Sequence, residues 1–169
     1  MNILLMRHAK SSWDDPGLTD HERPLADRGK RDAPKMGRML KISGFTPGHI
    51  ISSTARRAVE TAKLVAGHSS FDPEKIETDR GLYFSSSDDY VKAIQRTSQK
   101  VETVMLVGHN PLMEEVCSQL VTMMDRLSVR FPTAAVACLR FDGRSWSDCE
   151  PGVNQLVWFV NPKMISGLL

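Results

Sequence analysis

The sequence predicts an α/β fold, a three-layer α/β/α sandwich around a mostly parallel central sheet. Two observations carry this. Short apolar runs of strand length alternate with longer stretches of helical periodicity, the pattern of repeated strand–helix–strand crossovers. Those runs are continuously apolar rather than alternating, as expected of strands covered on both faces. The crossovers are expected to be right-handed.

Each element has its own grounds. Ile3 to Met6 is the first buried strand. Ser11 to Pro24 is polar and rich in turn formers, so it reads as a surface loop. Asp27 to Ile42 reads as a helix, with Met36, Met39 and Leu40 on one face. Pro34 is awkward in its interior, because a proline removes a backbone donor there, so the main helix is expected to begin near Ala33. Gly44 ends it. His49 to Ser52 is a second strand, and Ser53 or Thr54 is placed to cap a helix from Ala55 to about Gly67. Ile76 to Thr78 is a short third strand. Asp88 and Asp89 open a helix to about Ser98. Val104 to Gly108 is the next strand, and Pro111 stands at the first position of a helix to about Thr122. Ala134 to Phe141 and Leu156 to Val160 are the last strands, joined through Asp142-Gly143 and the stretch to Gly152.

The bulk properties narrow the class. The 169 residues are expected to form one domain, able to bury a core without disulfide or metal. A net charge of +2, with scattered lysines and arginines and no basic tract, gives no reason to expect nucleic-acid binding. Cys117, Cys138 and Cys149 form no CxxC pair and no zinc-like cluster, so reduced thiols and a cytoplasmic location are expected. The opening apolar run is too short for a signal peptide, and none approaches the roughly 20 residues of a membrane helix. No apolar stripe is left over, so a monomer is expected.

The strand ends point to chemistry. Ligands of open parallel sheets bind beyond the carboxyl ends of the strands. The first strand ends in Arg7-His8, and the fourth runs into Gly108-His109-Asn110-Pro111. The second leads to Ser53-Thr54-Ala55-Arg56-Arg57-Ala58. One edge would gather two imidazoles, two or three guanidiniums and two helix N-termini. Helix N-termini favour anions, and arginine forks match phosphate oxygens. The edge is suited to phosphate. No cysteine lies near these motifs, no GxxxxGK[ST] loop is present and no dense carboxylate cluster suggests two metals. Histidine remains as the group that can attack phosphorus. Neighbouring arginines favour its neutral form.

These motifs identify a resemblance. Arg7-His8-Ala9-Lys10-Ser11 resembles the RHG/RHA signature of the histidine phosphatase (phosphoglycerate mutase-like) superfamily. Ser53 with Arg57-Ala58-x-x-Thr61 and Gly108-His109-Asn110-Pro111 resemble two further motifs of that superfamily. Asp20-x-x-Arg23-Pro24-Leu25, Pro132-Thr133-Ala134 and Asn161-Pro162-Lys163 resemble its SixA branch, the small phosphohistidine phosphatases. The match runs nearly the whole chain, with no room for a cap domain.

The resemblance implies a phosphoglycerate mutase-like fold and a two-step, metal-independent hydrolysis with no cofactor. It makes His8 the nucleophile, Arg7 and Arg57 phosphate clamps, and His109 the second histidine on the phosphoryl oxygens. Ser11 and Asn110, inside the same motifs, are implied substrate contacts. Arg57 is chosen over Arg56 for its spacing from Ser53. Larger relatives carry a carboxylate that protonates the leaving group, and Asp79 lies near its place, although the SixA type is known for lacking an evident acid. Asp14 stands where many relatives have an asparagine that touches phosphate. The implied substrate is a phosphorylated protein, such as a histidine phosphotransfer domain. The alternatives are a small phosphate ester or a non-catalytic phosphate or phosphohistidine binder. Arg23 is expected to anchor the long loop over the site or to pair with a carboxylate, and Trp13 to wall the site or dock a partner. His21, His49 and His68 receive no role. The Met36/Met39 and Met123/Met124 groups are read as core packing.

Overall fold

The computed structural model describes residues 1–123 and 127–167. Its order is β1 (Asn2–Arg7), α1 (Asp27–Ile42), β2 (His49–Ser53), α2 (Arg56–Ser69), β3 (Glu77–Asp79), α3 (Ser87–Gln95), β4 (Thr103–Gly108), α4 (Leu112–Val121), β5 (Val136–Arg140) and β6 (Gln155–Val160). Short 3₁₀ turns cover Asp20–Glu22, Pro73–Lys75, Arg80–Leu82 and Trp146–Asp148. The strands form one sheet in the order β3-β2-β4-β1-β5-β6. β3, β2, β4 and β1 are parallel, while β5 and β6 add an antiparallel edge.

Strand pleating divides the core between the two faces. Ile3 and Leu5 of β1 pack with Val104 and Leu106 of β4 against Tyr90, Ile94, Met113 and Val116 of α3 and α4. Leu4 and Met6 pack with Met105 and Val107 against Met36, Leu40, Ala58, Ala62 and Val65 of α1 and α2. Ile3–Met6 and all of β4 are thus buried, which is why the sequence shows continuous apolar runs there. Cys117, Cys138 and Cys149 are buried free thiols. Among the described residues no helix is long and apolar enough to cross a membrane.

Several elements differ from the sequence reading. α1 runs unbroken from Asp27 through Pro34 rather than starting near Ala33. Its buried face, Ala33, Met36, Gly37 and Leu40, lies on α2, and this packing outweighs the lost proline donor. The fit is close: a Cβ on Gly37 would stand 2.5 Å from the Val65 carbonyl oxygen. α3 is capped by Ser86, whose backbone N–H donates to Asp89 at 2.8 Å, and it ends at Gln95 instead of Ser98. Met123 is 80% exposed and is not core packing; its companion Met124 lies outside the described residues. Neither Ser53 nor Thr54 caps α2, whose N-cap is Ala55. Both hydroxyls serve the site instead, as described next.

Candidate active site

The sheet register creates the site. In the β1–β4 pair Arg7 stands beside Gly108, so the next residues, His8 and His109, emerge side by side. The His8 N–H donates to the Gly108 carbonyl at 2.9 Å, and the two rings lie 5.0 Å apart. β2, the other neighbour of β4, brings Ser53 and then α2 to the same edge.

Both rings are buried, and their hydrogen bonds fix their tautomers. Arg57 Nε donates to His8 Nε2 at 3.3 Å. A guanidinium has no acceptor, so Nε2 carries the lone pair and Nδ1 the proton, which goes to the Ala9 carbonyl at 2.7 Å. Burial, and then the positive field of His109, Arg57 and Arg7, pushes the His8 pKa down to about 3, against the opposing effect of the Ala9 bond. His8 is therefore a neutral imidazole at ordinary pH. Arg57 Nη2 lies 3.4 Å from His109 Nδ1, so that nitrogen accepts and Nε2–H donates to Ser53 Oγ at 2.9 Å. Burial and Arg57 hold the His109 pKa down at about 4, with Asp20 pulling the other way.

Arg57 is 6% exposed. Its Nη1 donates to the Asp20 carbonyl oxygen and its Nη2 to Asp20 Oδ2 at 2.8 Å. Thr61 ties α2 to the segment after β1: its hydroxyl donates to the Arg57 carbonyl at 2.6 Å and accepts from the Ala9 N–H at 3.0 Å. Arg7 Nη1 donates to the Phe131 carbonyl at 2.7 Å. Its Nε is buried with no partner among the described residues, an unspent donor on the residue next to His8. Arg7, His8, Arg57 and His109 thus converge as the strand ends imply.

Other candidates stand differently. Asn110 spends its amide N–H donors on Glu114 at 2.7 Å and Phe131 O at 3.2 Å. That bonding makes it a brace for the loop before β5 rather than a ready phosphate donor. Ser11 Oγ accepts from Arg23 Nη2 at 2.7 Å. Asp79 has both oxygens engaged: Arg96 Nη2 lies 2.6 Å from one and the Gly81 N–H donates to the other at 2.7 Å. Asp14 accepts from the Ser12 hydroxyl at 2.6 Å in an exposed turn. Arg23 is buried and does anchor the loop, through Ser11, the Ser12 carbonyl and Asp20. Its guanidinium lies 3.1 Å under the ring of Trp13, whose other surface leaves it 72% exposed.

Three contributors were not assigned in the sequence. Asp20 joins both arginines. Tyr83 donates to Asp20 Oδ2 at 2.8 Å and sets its ring edge-on, 5.6 Å from His109. His21 packs on Tyr83 and meets Thr54 Oγ at 3.0 Å. An open cleft of about 660 Å³ lies alongside, lined by Thr19, Asp20, His21, Thr54, Arg80, Tyr83 and Phe84. The spacing of Asp20 and Arg23 hints at a local ion pair; nothing in the sequence marks Tyr83. Among the described residues no three His, Cys, Asp or Glu side chains are grouped to hold a metal ion.

The family model of the histidine phosphatase superfamily (branch 1) matches residues 3–83. An uncharacterized protein of Mycobacterium tuberculosis is 35% identical over 165 residues, 94% of this chain and 100% of the relative. The structure of the protein histidine phosphatase SixA complexed with tungstate superposes with a TM-score of 0.83 at 22% identity, covering 98% of this chain and 99% of that one. The crystal structure of the putative phosphohistidine phosphatase SixA from Agrobacterium tumefaciens gives 0.78 at 28% identity, over 95% and 97%. The chain belongs to the histidine phosphatase superfamily and is a phosphatase. Within that superfamily it is of the SixA type.

Proposed function

We propose that the protein hydrolyses phosphohistidine on a protein substrate through a phosphorylated His8. His8 Nε2 attacks phosphorus with its lone pair while the bond from phosphorus to the leaving nitrogen breaks. Nδ1 keeps its proton on the Ala9 carbonyl throughout. Arg57, the free Nε of Arg7 and His109 receive the equatorial oxygens, where charge spreads in the transition state. Water then attacks phospho-His8, the new P–N bond breaks, and phosphate departs with the proton balance met by solvent.

The observation that carries the substrate assignment is the state of two carboxylates at this edge. Asp20 is held on Arg57 and Arg23, and Asp79 on Arg96. Burial pushes the Asp20 carboxyl up, but Tyr83, Arg57 and Arg23 together outweigh it and hold its pKa at about 2, so it has no proton to give. An alcohol leaving as alkoxide needs such a proton, worth roughly 10²–10⁴ in rate. A phosphohistidine whose other ring nitrogen is protonated leaves as neutral imidazole, of ordinary pKa about 6.5, and needs none. The tungstate bound by the SixA relative is an oxyanion, consistent with a phosphate-shaped pocket.

The test compares turnover of a phosphohistidine peptide, an aryl phosphate and a sugar phosphate, with trapping of 32P on the chain. The expected label is acid-labile, alkali-stable and absent in His8→Ala, and the peptide is turned over fastest. Label that persists in His8→Ala refutes the nucleophile. A sugar phosphate preferred over the peptide, with Asp79→Asn lowering its turnover by orders of magnitude, would establish a small-molecule phosphomonoesterase instead.

A further inference from the structure

We propose that Asp20 is a positioning residue, one that fixes the Arg57 guanidinium so that Nε and Nη2 face His8 and His109. This rests on the reading of His8 as nucleophile. The contacts of Arg57 fall into two kinds. Those to the imidazoles are long, 3.3 Å to His8 Nε2 and 3.4 Å to His109 Nδ1. Bonds of that length orient weakly. The short ones all go to Asp20: Nη1 to its carbonyl oxygen, and Nη2 to Oδ2 at 2.8 Å. A planar fork gripped on one side by two acceptors of a single residue has little freedom to rotate. Its remaining N–H groups are thereby aimed at the place between the two rings where a phosphoryl group would sit.

Asp20 is itself held from two further directions. Arg23 Nη1 donates to Oδ1 at 2.8 Å, and the Tyr83 hydroxyl to Oδ2 at 2.8 Å. Arg23 is locked by Ser11, the Ser12 carbonyl and the Trp13 ring. Tyr83 is packed among His21, Phe84 and His109. Asp20 is therefore the point where the loop after β1, the start of α2 and the turn after β3 meet. The depressed pKa of its carboxyl keeps it charged across the working pH range.

Two effects follow. Orientation is supplied before substrate arrives, which lowers the barrier to transfer. The negative charge also offsets part of the field of Arg57 and Arg23, which weakens ground-state binding of an anion, including the product. A residue that positions in this way has a signature that mere structural support lacks. Its loss slows the chemical step while inorganic phosphate binds more tightly.

The experiment measures single-turnover phosphorylation of His8 and inhibition by inorganic phosphate in wild type, Asp20→Asn and Tyr83→Phe, with phosphoimidazole as donor. Asp20→Asn keeps an acceptor but removes the charge. Its phosphorylation rate is expected to fall about 10- to 50-fold, and the phosphate inhibition constant to fall several-fold. Tyr83→Phe removes one of the three side-chain donors to Asp20 but leaves its charge, so the phosphorylation rate should fall about two- to fivefold while the phosphate inhibition constant does not fall. A rate within twofold of wild type in Asp20→Asn, or looser phosphate binding, overturns the proposal. If Asp20→Asn does not fold, Tyr83→Phe decides alone, and an unchanged phosphorylation rate or tighter phosphate binding in it overturns the proposal. Absence of label on His8 in the wild type is a separate failure, that of the nucleophile assignment.

Discussion

His8 and His109 are buried as neutral rings, and that burial should make the fold sensitive to acid. With folded pKa values of about 3 and about 4, both rings stay uncharged at pH 5. In the unfolded chain they take up protons below about 6.5. The unfolded state binds more protons in this window, so stability is complete above pH 6.5 and is lost as pH falls toward the folded values. Between pH 7.5 and pH 5 each ring costs about 2 kcal/mol, the product of about 1.5 pH units and 1.36 kcal/mol per unit. This figure needs only that the folded pKa lie below 5. The pair therefore costs about 4 kcal/mol, a large part of the 5–15 kcal/mol that holds a typical domain.

The perturbation is His8→Ala, and the assay is urea denaturation of wild type and variant at both pH values. The fixed cost of the substitution cancels in the difference between the two pH values. The expected result is a pH-dependent loss smaller by about 2 kcal/mol in the variant. An equal loss in both proteins would mean that His8 is not held neutral, and the electrostatic account of the nucleophile would fail with it.

Two further perturbations probe the scaffold. Arg57→Lys keeps the charge but loses the fork that spans Asp20 and both imidazoles, so kcat/KM should fall about 10²–10³-fold; a steady-state loss under tenfold contradicts the clamp. Gly108→Ala would place a Cβ onto the Tyr90 hydroxyl and 2.8 Å from its Cζ. Tyr90 is fully buried and donates to the Leu82 carbonyl at 3.0 Å, so it has no room to retreat. The expected cost is about 2–3 kcal/mol, read as a melting temperature lower by roughly 5–10 °C; an unchanged melt shows that Tyr90 can move.

What the sequence revealed depends on the range of the interaction concerned. The strands were legible because the central residues of β1, β2 and β4, Ile3–Met6, Ile50–Ile51 and Val104–Val107, are covered on both faces and are continuously apolar. The pairing of His8 with His109 was legible as soon as both were read as strand ends, since parallel strands leave their carboxyl ends on one edge. Ser53 misled because a serine before a helix is ordinarily a cap. Here Ala55 takes that place, and the hydroxyl bonds His109 instead. Asp79 sat at a suggestive distance from the motifs, but its partner Arg96 is fixed only by the packing of α3. Asp20 lies in a loop 37 residues from Arg57, and no local pattern signals such a bond. Pro34 shows the reverse error, where a sound local rule yields to the contact between α1 and α2.

The free site also has the wrong hydrogens for its ligand at one atom. His109 Nδ1 accepts from Arg57, yet a phosphoryl oxygen arriving there is itself an acceptor and requires a donor. One remedy is a tautomer switch, with Ser53 turning its hydroxyl to donate to Nε2. The other is protonation of the ring. Near a surface, two unit charges about 4 Å apart interact by about 4 kcal/mol, and a dianion by up to about twice that. Raising the pKa of His109 from about 4 to above 7 requires about 4 kcal/mol, which the dianion supplies. Protonation is therefore expected, and binding should take up close to one proton. Tungstate at pH 7 is already a dianion, so its own titration does not intrude. Calorimetry in two buffers of different ionisation enthalpy should give heats that differ by that one proton, and His109→Asn should abolish the difference. Identical heats in the two buffers for the wild type would assign the adjustment to Ser53 and rule out a charged His109 in the bound state.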